Sequence, residues 1–225
     1  MFYFDPLYFV FLVPGLLLAL WAQSQVKSAY GKYTRVPNAR GLTGLQAAQQ
    51  LMPAMGLSLN VEGTPGELTD HYDPRSKTLR LSEGVAKTAS VASVAIVAHE
   101  LGHAMQDKQG YAPLKLRSAI VPAVQVSPMI AYALFVIGFL MASAALQNLG
   151  IIFFSLTVVF ALITLPVELN ASSRGLKMLQ SYQLLDGTEM KGAQSVLRAA
   201  ALTYVAAAVQ ALLTLLYFVT RTRRR

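Results

Sequence analysis

The segment His-Glu-Leu-Gly-His at residues 99–103 contains the side chains of this chain that are best suited to chemistry. On an α-helix, residues four positions apart lie one turn apart on the same face, so His99 and His103 can direct both imidazoles toward one metal ion. Glu100 can then act as general base on a water held by that ion. This spacing is typical of zinc metalloproteases.

The residues before the motif indicate that its helix is buried. Val91, Val94, Ala95 and Ala98 recur at helical spacing, which predicts a helix from about residue 89 to 107. The alternative, a helix that carries two histidines without a metal, fits this context less well. Because the chain has no cysteine, a zinc site must use histidine and carboxylate ligands.

A catalytic zinc site needs a third protein ligand and one open position. Glu168 is the predicted ligand because it closes an apolar segment, where an ionisable group is costly and marks a functional site. Asp107 lies too far along the helix axis from His103, and Asp186 and Glu189 flank Gly187 in a predicted loop. If Glu168 binds the ion, the active site lies near the membrane surface.

Two alternatives to this ligand set remain open. Glu168 could instead form an ion pair with Arg174 or Arg117 at the membrane interface. His71, on a predicted strand, could bind the metal in place of Glu168 or stabilise a transition-state oxyanion. A simpler role for His71 is to order its strand through local hydrogen bonds.

The composition is that of a multipass membrane protein, with 54% hydrophobic and only 13% charged residues. Four apolar segments approach the length of about 20 residues that crosses a bilayer. They cover about residues 7–22, 119–146, 149–167 and 199–219, and Gln147 and Asn148 alone separate the second from the third. The net charge of +8 fits basic flanks of membrane segments, and no motif indicates a nucleic-acid partner.

The remaining chain predicts a small soluble unit between the first two spans. Its helix covers residues 44–55, and its strands cover 57–61, 67–72 and 77–81, the last two joined by a turn at residues 73–76. The predicted organisation is a first transmembrane helix (1–23), a soluble α+β unit with the motif (24–117), a transmembrane hairpin that ends at Glu168 (118–169), a helical loop (170–198) and a fourth transmembrane helix with a basic tail (199–225).

Lysine and arginine predict the orientation in the membrane. Residues 24–117 carry eleven of them and residues 170–198 carry four, whereas the start of the chain carries none, so the catalytic unit is expected in the cytoplasm. If all four segments cross the membrane, the basic tail lies on the side opposite the cytoplasm, although basic residues favour the cytoplasmic side. Either the last segment does not fully cross or the tail is tolerated there; the tail comprises Arg221, Arg223, Arg224 and Arg225.

Several further segments resemble the YugP-like family of zinc-dependent bacterial membrane proteases. The chain is more distantly similar to the HtpX and CAAX prenyl protease group, in which a glutamate on a later helix completes the site. The resemblance implies a zincin-like (minigluzincin) soluble unit, Zn²⁺ as cofactor and a bacterial inner-membrane location. It rests on residues 68–75, 80–82, 98–104, 110–117 and 165–172.

One position departs from the HtpX pattern. Those relatives usually carry an aspartate four residues after the ligand glutamate to support the metal ligands, and here that position is Ser172. The aspartate's role is therefore unfilled at its expected place, and Asn170 and Arg174 are the candidates to take it.

The predicted function is a zinc metalloendopeptidase that cleaves polypeptides. Its substrate would be membrane-associated or unfolded and would lie extended along the edge of the 67–81 hairpin. The alternative is a non-catalytic metal-binding membrane protein, such as a sensor or an assembly factor. Against that reading, a structural site has no need of Glu100 and would fill its fourth position with protein. A small transporter is a third class, and the spans carry few polar residues for an ion path.

Overall fold

The computed structural model describes residues 6–223, which form seven helices and one three-stranded sheet. Arg224 and Arg225 of the predicted basic tail lie outside the described residues. In chain order the elements are α1 (Pro6–Tyr33), α2 (Gly44–Ala54), β1 (Asn60–Thr64), β2 (His71–Asp73), β3 (Thr78–Ser82), α3 (Glu83–Lys87), α4 (Val91–Lys108), α5 (Ala112–Leu140), α6 (Ala144–Ser181) and α7 (Gly187–Arg223).

Four of these helices, α1, α5, α6 and α7, are long and apolar enough to cross a membrane. The prediction of a mostly helical membrane protein with a small sheet is therefore confirmed. The helices are longer than the apolar segments that identified them. At about 1.5 Å per residue, the 38 residues of α6 extend over roughly 57 Å, whereas the hydrocarbon core of a bilayer is about 30 Å thick.

The chain divides into two compact units. The membrane unit contains the described parts of Met1–Gln23, Lys115–Pro166 and Leu202–Arg225, and the second unit contains Ser24–Leu114 and Val167–Ala201. The last turns of α6 and the first turns of α7 thus belong to the same unit as the sheet and α4.

Within the membrane unit, the turn between α5 and α6 does not lie where the sequence predicted it. Gln147 and Asn148 are inside α6, and the connection is formed by residues 141–143. The backbone N–H of Ser143 donates to the carbonyl of Gly138 (2.8 Å), and the Gln147 side chain donates to the same carbonyl (3.1 Å). Gln147 is buried, and it can stay within the helix because its amide is hydrogen-bonded there.

The sheet of the second unit has the strand order β1-β3-β2. β3 lies in the centre, parallel to β1 and antiparallel to β2, so β2 forms one edge. The first two strands begin later than predicted. The Leu57 N–H closes the end of α2 by donating to the Met52 carbonyl (2.8 Å), and Leu68 has a left-handed φ of 56°, so neither residue can extend a strand.

The predicted turn after β2 is held by Asp73. Its carboxylate accepts hydrogen bonds from the Arg75 N–H (2.9 Å) and the Ser76 hydroxyl (2.9 Å). These hydrogen bonds lower the pKa of Asp73 to about 2. The turn fixes the register in which β2 pairs with β3.

Helix α4 is the core of the second unit, as its apolar spacing predicted. It begins after Ser90, whose hydroxyl accepts a hydrogen bond from the Ser93 N–H (3.1 Å) and caps the helix. Val94, Val97 and Leu101 are fully buried. A helix enclosed on most of its surface gives its side chains fixed positions, which a metal centre requires.

Candidate metal centre

His99, His103 and Glu168 meet in the second unit. Each histidine Nε2 atom lies 3.3 Å from the same Glu168 oxygen, Oε2. One ligand atom from each of the three residues lies within 4.8 Å of the others. Only 3% of the Glu168 side chain is exposed, against 14% for His99 and 12% for His103. The structure thus brings together the three side chains that the sequence predicted as ligands.

Two glycines allow α4 and α6 to cross closely enough for this. A Cβ atom on Gly102 would overlap the backbone carbonyl of Ala171, and one on Gly175 would lie 2.8 Å from the carbonyl oxygen of Ala98. Backbone therefore packs directly against backbone at two points along the crossing. Because Gly102 is the residue before His103, this contact sets the distance from the histidines to α6.

The other ring nitrogen of each histidine is hydrogen-bonded. His103 Nδ1 lies 3.0 Å from the Gln106 side-chain oxygen, and His99 Nδ1 lies 3.1 Å from the Ser172 hydroxyl. With Nδ1 directed away, both rings present Nε2 toward Glu168. A metal-binding histidine almost always has its second nitrogen held in this manner.

The donor types of the three side chains, and the two separations that involve Glu168, suit a zinc ion. At bond lengths of about 2.0–2.1 Å, two ligand atoms of a tetrahedral site are separated by about 3.3 Å, which is the separation from each Nε2 to the Glu168 oxygen. Two imidazoles and a carboxylate are also the ligand set of a common class of catalytic zinc site. Three protein ligands leave a fourth tetrahedral position for a water molecule or a substrate.

Glu100 lies next to this cluster on α4. It is buried, with 8% of its surface exposed, and its Oε2 accepts a hydrogen bond from the Tyr72 backbone N–H (2.9 Å). Burial raises the pKa of Glu100, and the charges of His99 and His103 offset part of that effect. A carboxyl group with a raised pKa beside a metal site is suited to accepting and releasing a proton.

The edge strand β2 is attached to α4 at two levels. Besides the bond to Glu100, the Tyr72 hydroxyl donates to the Asp107 carboxylate (2.6 Å), which also forms an ion pair with Lys77. Asp107 is two helical turns beyond Glu100, so the Tyr72 side chain extends along the face of α4 that carries Glu100. Asp107 was not predicted to bind the metal, and its contacts here anchor the strand.

His71 is not part of the cluster. Its Nδ1 lies 2.8 Å from the Thr69 carbonyl oxygen, and its Nε2 lies 3.4 Å from an Arg80 guanidinium nitrogen. These local hydrogen bonds fit the simpler role considered for His71, which is to order its strand. Its role as an oxyanion or substrate contact stays a prediction.

Asn170 and Arg174, the candidates to support the ligands, reach them only through another residue. Arg174 donates to the Asn170 side-chain oxygen (2.6 Å) and to the Gln109 side-chain oxygen (2.6 Å), and Asn170 in turn accepts from Gln106 (3.0 Å). The Arg174 guanidinium, one of the two partners that the ion-pair alternative named for Glu168, is therefore engaged with two amide oxygens.

Two residues that contact the Nδ1 atoms of the histidines were not predicted from the sequence. Ser172 occupies the position considered unfilled, and its hydroxyl contacts His99 directly. Gln106 had been given no functional role, and its side-chain oxygen contacts His103. Helical spacing could have found both, because Ser172 is four residues after Glu168 and Gln106 is three residues after His103.

Comparison with known proteins extends over nearly the whole chain. Residues 8–223 match the model of a family described as "putative neutral zinc metallopeptidase". The chain is 45% identical over 213 residues to a protein of Bacillus subtilis (strain 168) named "Putative membrane protease YugP", which covers 94% of this chain and 95% of that protein. No solved structure matches the chain significantly. The similarity is therefore not confined to the histidine motif.

Proposed function

Because the chain belongs to the family of putative neutral zinc metallopeptidases, we propose that it is an integral-membrane zinc endopeptidase. His99, His103 and Glu168 would hold the ion, and Glu100 would act as general base. The observation that carries this proposal is the 3.3 Å distance from each histidine Nε2 to one Glu168 oxygen. That separation suits a tetrahedral ion.

The residues of this chain have distinct parts in the proposed reaction. When bound, zinc supplies a Lewis acid that lowers the pKa of water and polarises the scissile carbonyl. Glu100 removes a proton from the attacking water as the new C–O bond forms. It then delivers that proton to the leaving amine as the C–N bond breaks, so the carboxylate is regenerated at the end of the cycle.

The position of β2 supports binding of an extended substrate. This strand lies at the edge of the sheet, and its Tyr72 N–H donates a hydrogen bond to Glu100, which would be the base. A peptide that pairs with the backbone groups of this edge strand on either side of the Tyr72 N–H would pass close to Glu100. Recognition through backbone hydrogen bonds favours extended or unfolded segments over one fixed sequence.

The helix that carries Glu168 supports a site near the membrane surface. α6 is one continuous helix that is apolar enough to span a bilayer, and Glu168 lies two residues after Pro166, where the membrane unit ends. We therefore propose membrane proteins and their juxtamembrane segments as substrates. The charge distribution along the chain supports a cytoplasmic site.

The proposal is tested by measuring zinc content and cleavage on the same detergent-purified protein. We expect about one zinc per chain, cleavage of an unfolded test protein, loss of cleavage with chelator and recovery with added zinc. Glu100→Gln should keep the zinc and lose cleavage by about 10²-fold or more. Glu83→Gln is the matched control, because Glu83 is exposed and pairs with Lys87 one turn away on α3.

Two results would contradict the proposal. Full cleavage by Glu100→Gln would exclude this residue as the base. Zinc binding by the wild-type protein with no cleavage of any unfolded test protein would favour the non-catalytic metal-binding alternative.

A further inference from the structure

We propose that Gln106 is a positioning residue of the metal centre, which holds the His103 ring and the backbone at Glu168 with a single side-chain amide. This inference rests on the proposed function, since it assigns Gln106 a role toward the same zinc ion. Gln106 is fully buried although its side chain is polar. Burial of an amide is costly unless its hydrogen bonds are formed.

All parts of the Gln106 amide are used. Its oxygen lies 3.0 Å from His103 Nδ1, and its nitrogen donates to the Val167 carbonyl (2.8 Å) and to the Asn170 side-chain oxygen (3.0 Å). A backbone carbonyl can only accept, so the amide nitrogen must face Val167 and the amide oxygen must face His103.

This orientation fixes the tautomer of His103. Because the amide oxygen can only accept, His103 must carry its proton on Nδ1 and donate it to Gln106. The lone pair of Nε2 then points toward Glu168 and is free to bind a cation. Without Gln106, the ring could rotate or carry its proton on Nε2, and either change would remove a ligand.

The same amide also holds the second ligand helix. The Val167 carbonyl belongs to the peptide group that continues into the Glu168 nitrogen, so the Gln106 bond fixes the backbone next to Glu168. Arg174 extends this network, since it bonds to Asn170 on α6 and to Gln109 at the end of α4. One side chain on α4 thereby sets the position of a ligand on each helix.

Zinc affinity measured by competition with a chromophoric chelator tests the inference without using cleavage. Gln106→Met keeps the length of the side chain but removes its hydrogen bonds, and we expect it to weaken zinc binding by about 10- to 100-fold. Gln50→Met is the matched control, because Gln50 is exposed within helix α2 and has no part in this network. We expect that control to change the affinity by less than about twofold.

Gln106→Glu separates a role toward His103 from a purely structural one. Glutamate can still accept the proton of His103 Nδ1, but when ionised it cannot donate to Val167 or Asn170. Because it keeps the contact to His103 and loses the bond to Val167, Gln106→Glu should bind zinc more tightly than Gln106→Met and less tightly than the wild type. The visible spectrum of Co²⁺-loaded Gln106→Glu should also stay close to that of the wild type, whereas Gln106→Met should change it.

Wild-type affinity in Gln106→Met, or weaker binding by Gln106→Glu than by Gln106→Met, would overturn the inference while leaving the proposed function intact. If Gln106→Met does not fold, Gln106→Glu decides alone, and a loss of affinity of about 100-fold or more in that variant rejects the inference, because the retained contact to His103 would then have no effect. Absence of zinc from the wild-type protein would instead reject the proposed function.

Discussion

Gly102→Ala is the smallest change that should separate the two helices of the proposed centre without altering a ligand side chain. The alanine Cβ would lie 3.0 Å from the carbonyl carbon of Ala171 and nearer still to its oxygen, whereas ordinary contact begins at 3.4 Å. Both neighbours are backbone atoms of α6, so no side chain can rotate away. Relief of the overlap requires α4 and α6 to move apart by roughly 1 Å.

A movement of this size is large for a metal site. The distances from His99 and His103 to Glu168 would grow from 3.3 Å to roughly 4 Å, whereas ligand positions tolerate deviations of about 0.2 Å. We therefore expect zinc affinity to fall by at least about 100-fold, which corresponds to ~2.7 kcal/mol. The overpacking itself should destabilise the fold by about 1–3 kcal/mol.

The assay is chelator competition for zinc in detergent, with a thermal melt followed by circular dichroism to verify that the variant is folded. Gly31→Ala is the matched control, because Gly31 also lies within a helix and a Cβ there would meet nothing within 4 Å. That control should bind zinc like the wild type and be slightly more stable, since alanine favours helix over glycine by about 1 kcal/mol. Wild-type zinc affinity in folded Gly102→Ala would refute the reasoning about the crossing.

Two further changes test other parts of the structure. Glu168→Ala should lower the zinc content of the purified protein because it removes one of three ligands, and an unchanged zinc stoichiometry would favour the ion-pair alternative for Glu168. Asp73 should stabilise the fold above its unfolded pKa near 3.8, and this contribution should be lost as the pH falls toward its folded pKa of about 2. The denaturation midpoints of the wild type and Asp73→Asn should therefore differ at pH 5, and this difference should disappear as the pH falls to 2. A difference that stays constant over this range would contradict the lowered pKa of Asp73.

The parts of the molecule that were predictable depend on local geometry or composition. Residues four apart share a helical face whatever surrounds them, so the facing of His99 and His103 followed from their spacing alone. The four apolar helices followed from composition because a bilayer selects length and hydrophobicity. Glu168 stood out because an ionisable group is rare at the end of such a segment.

Other features depended on contacts that local patterns do not encode. The turn between α5 and α6 was misplaced because Gln147 satisfies its amide inside a helix, at the carbonyl of Gly138. The strand limits shifted because Leu57 closes a helix and Leu68 adopts a left-handed backbone conformation. In each case a specific hydrogen bond or backbone angle outweighed the hydrophobic pattern.

The residues that could bind a metal and the segments that could enter a membrane were evident from the sequence, because both depend on residue type and spacing along one element. The crossing of α4 and α6 at Gly102, which places Glu168 against both histidines, became evident in the folded molecule, since the two helices are more than sixty residues apart in the chain. The same holds for Gln106 and Ser172, which orient the rings. Close packing of two distant helices depends on the shape of both surfaces together, and neither segment specifies that shape alone.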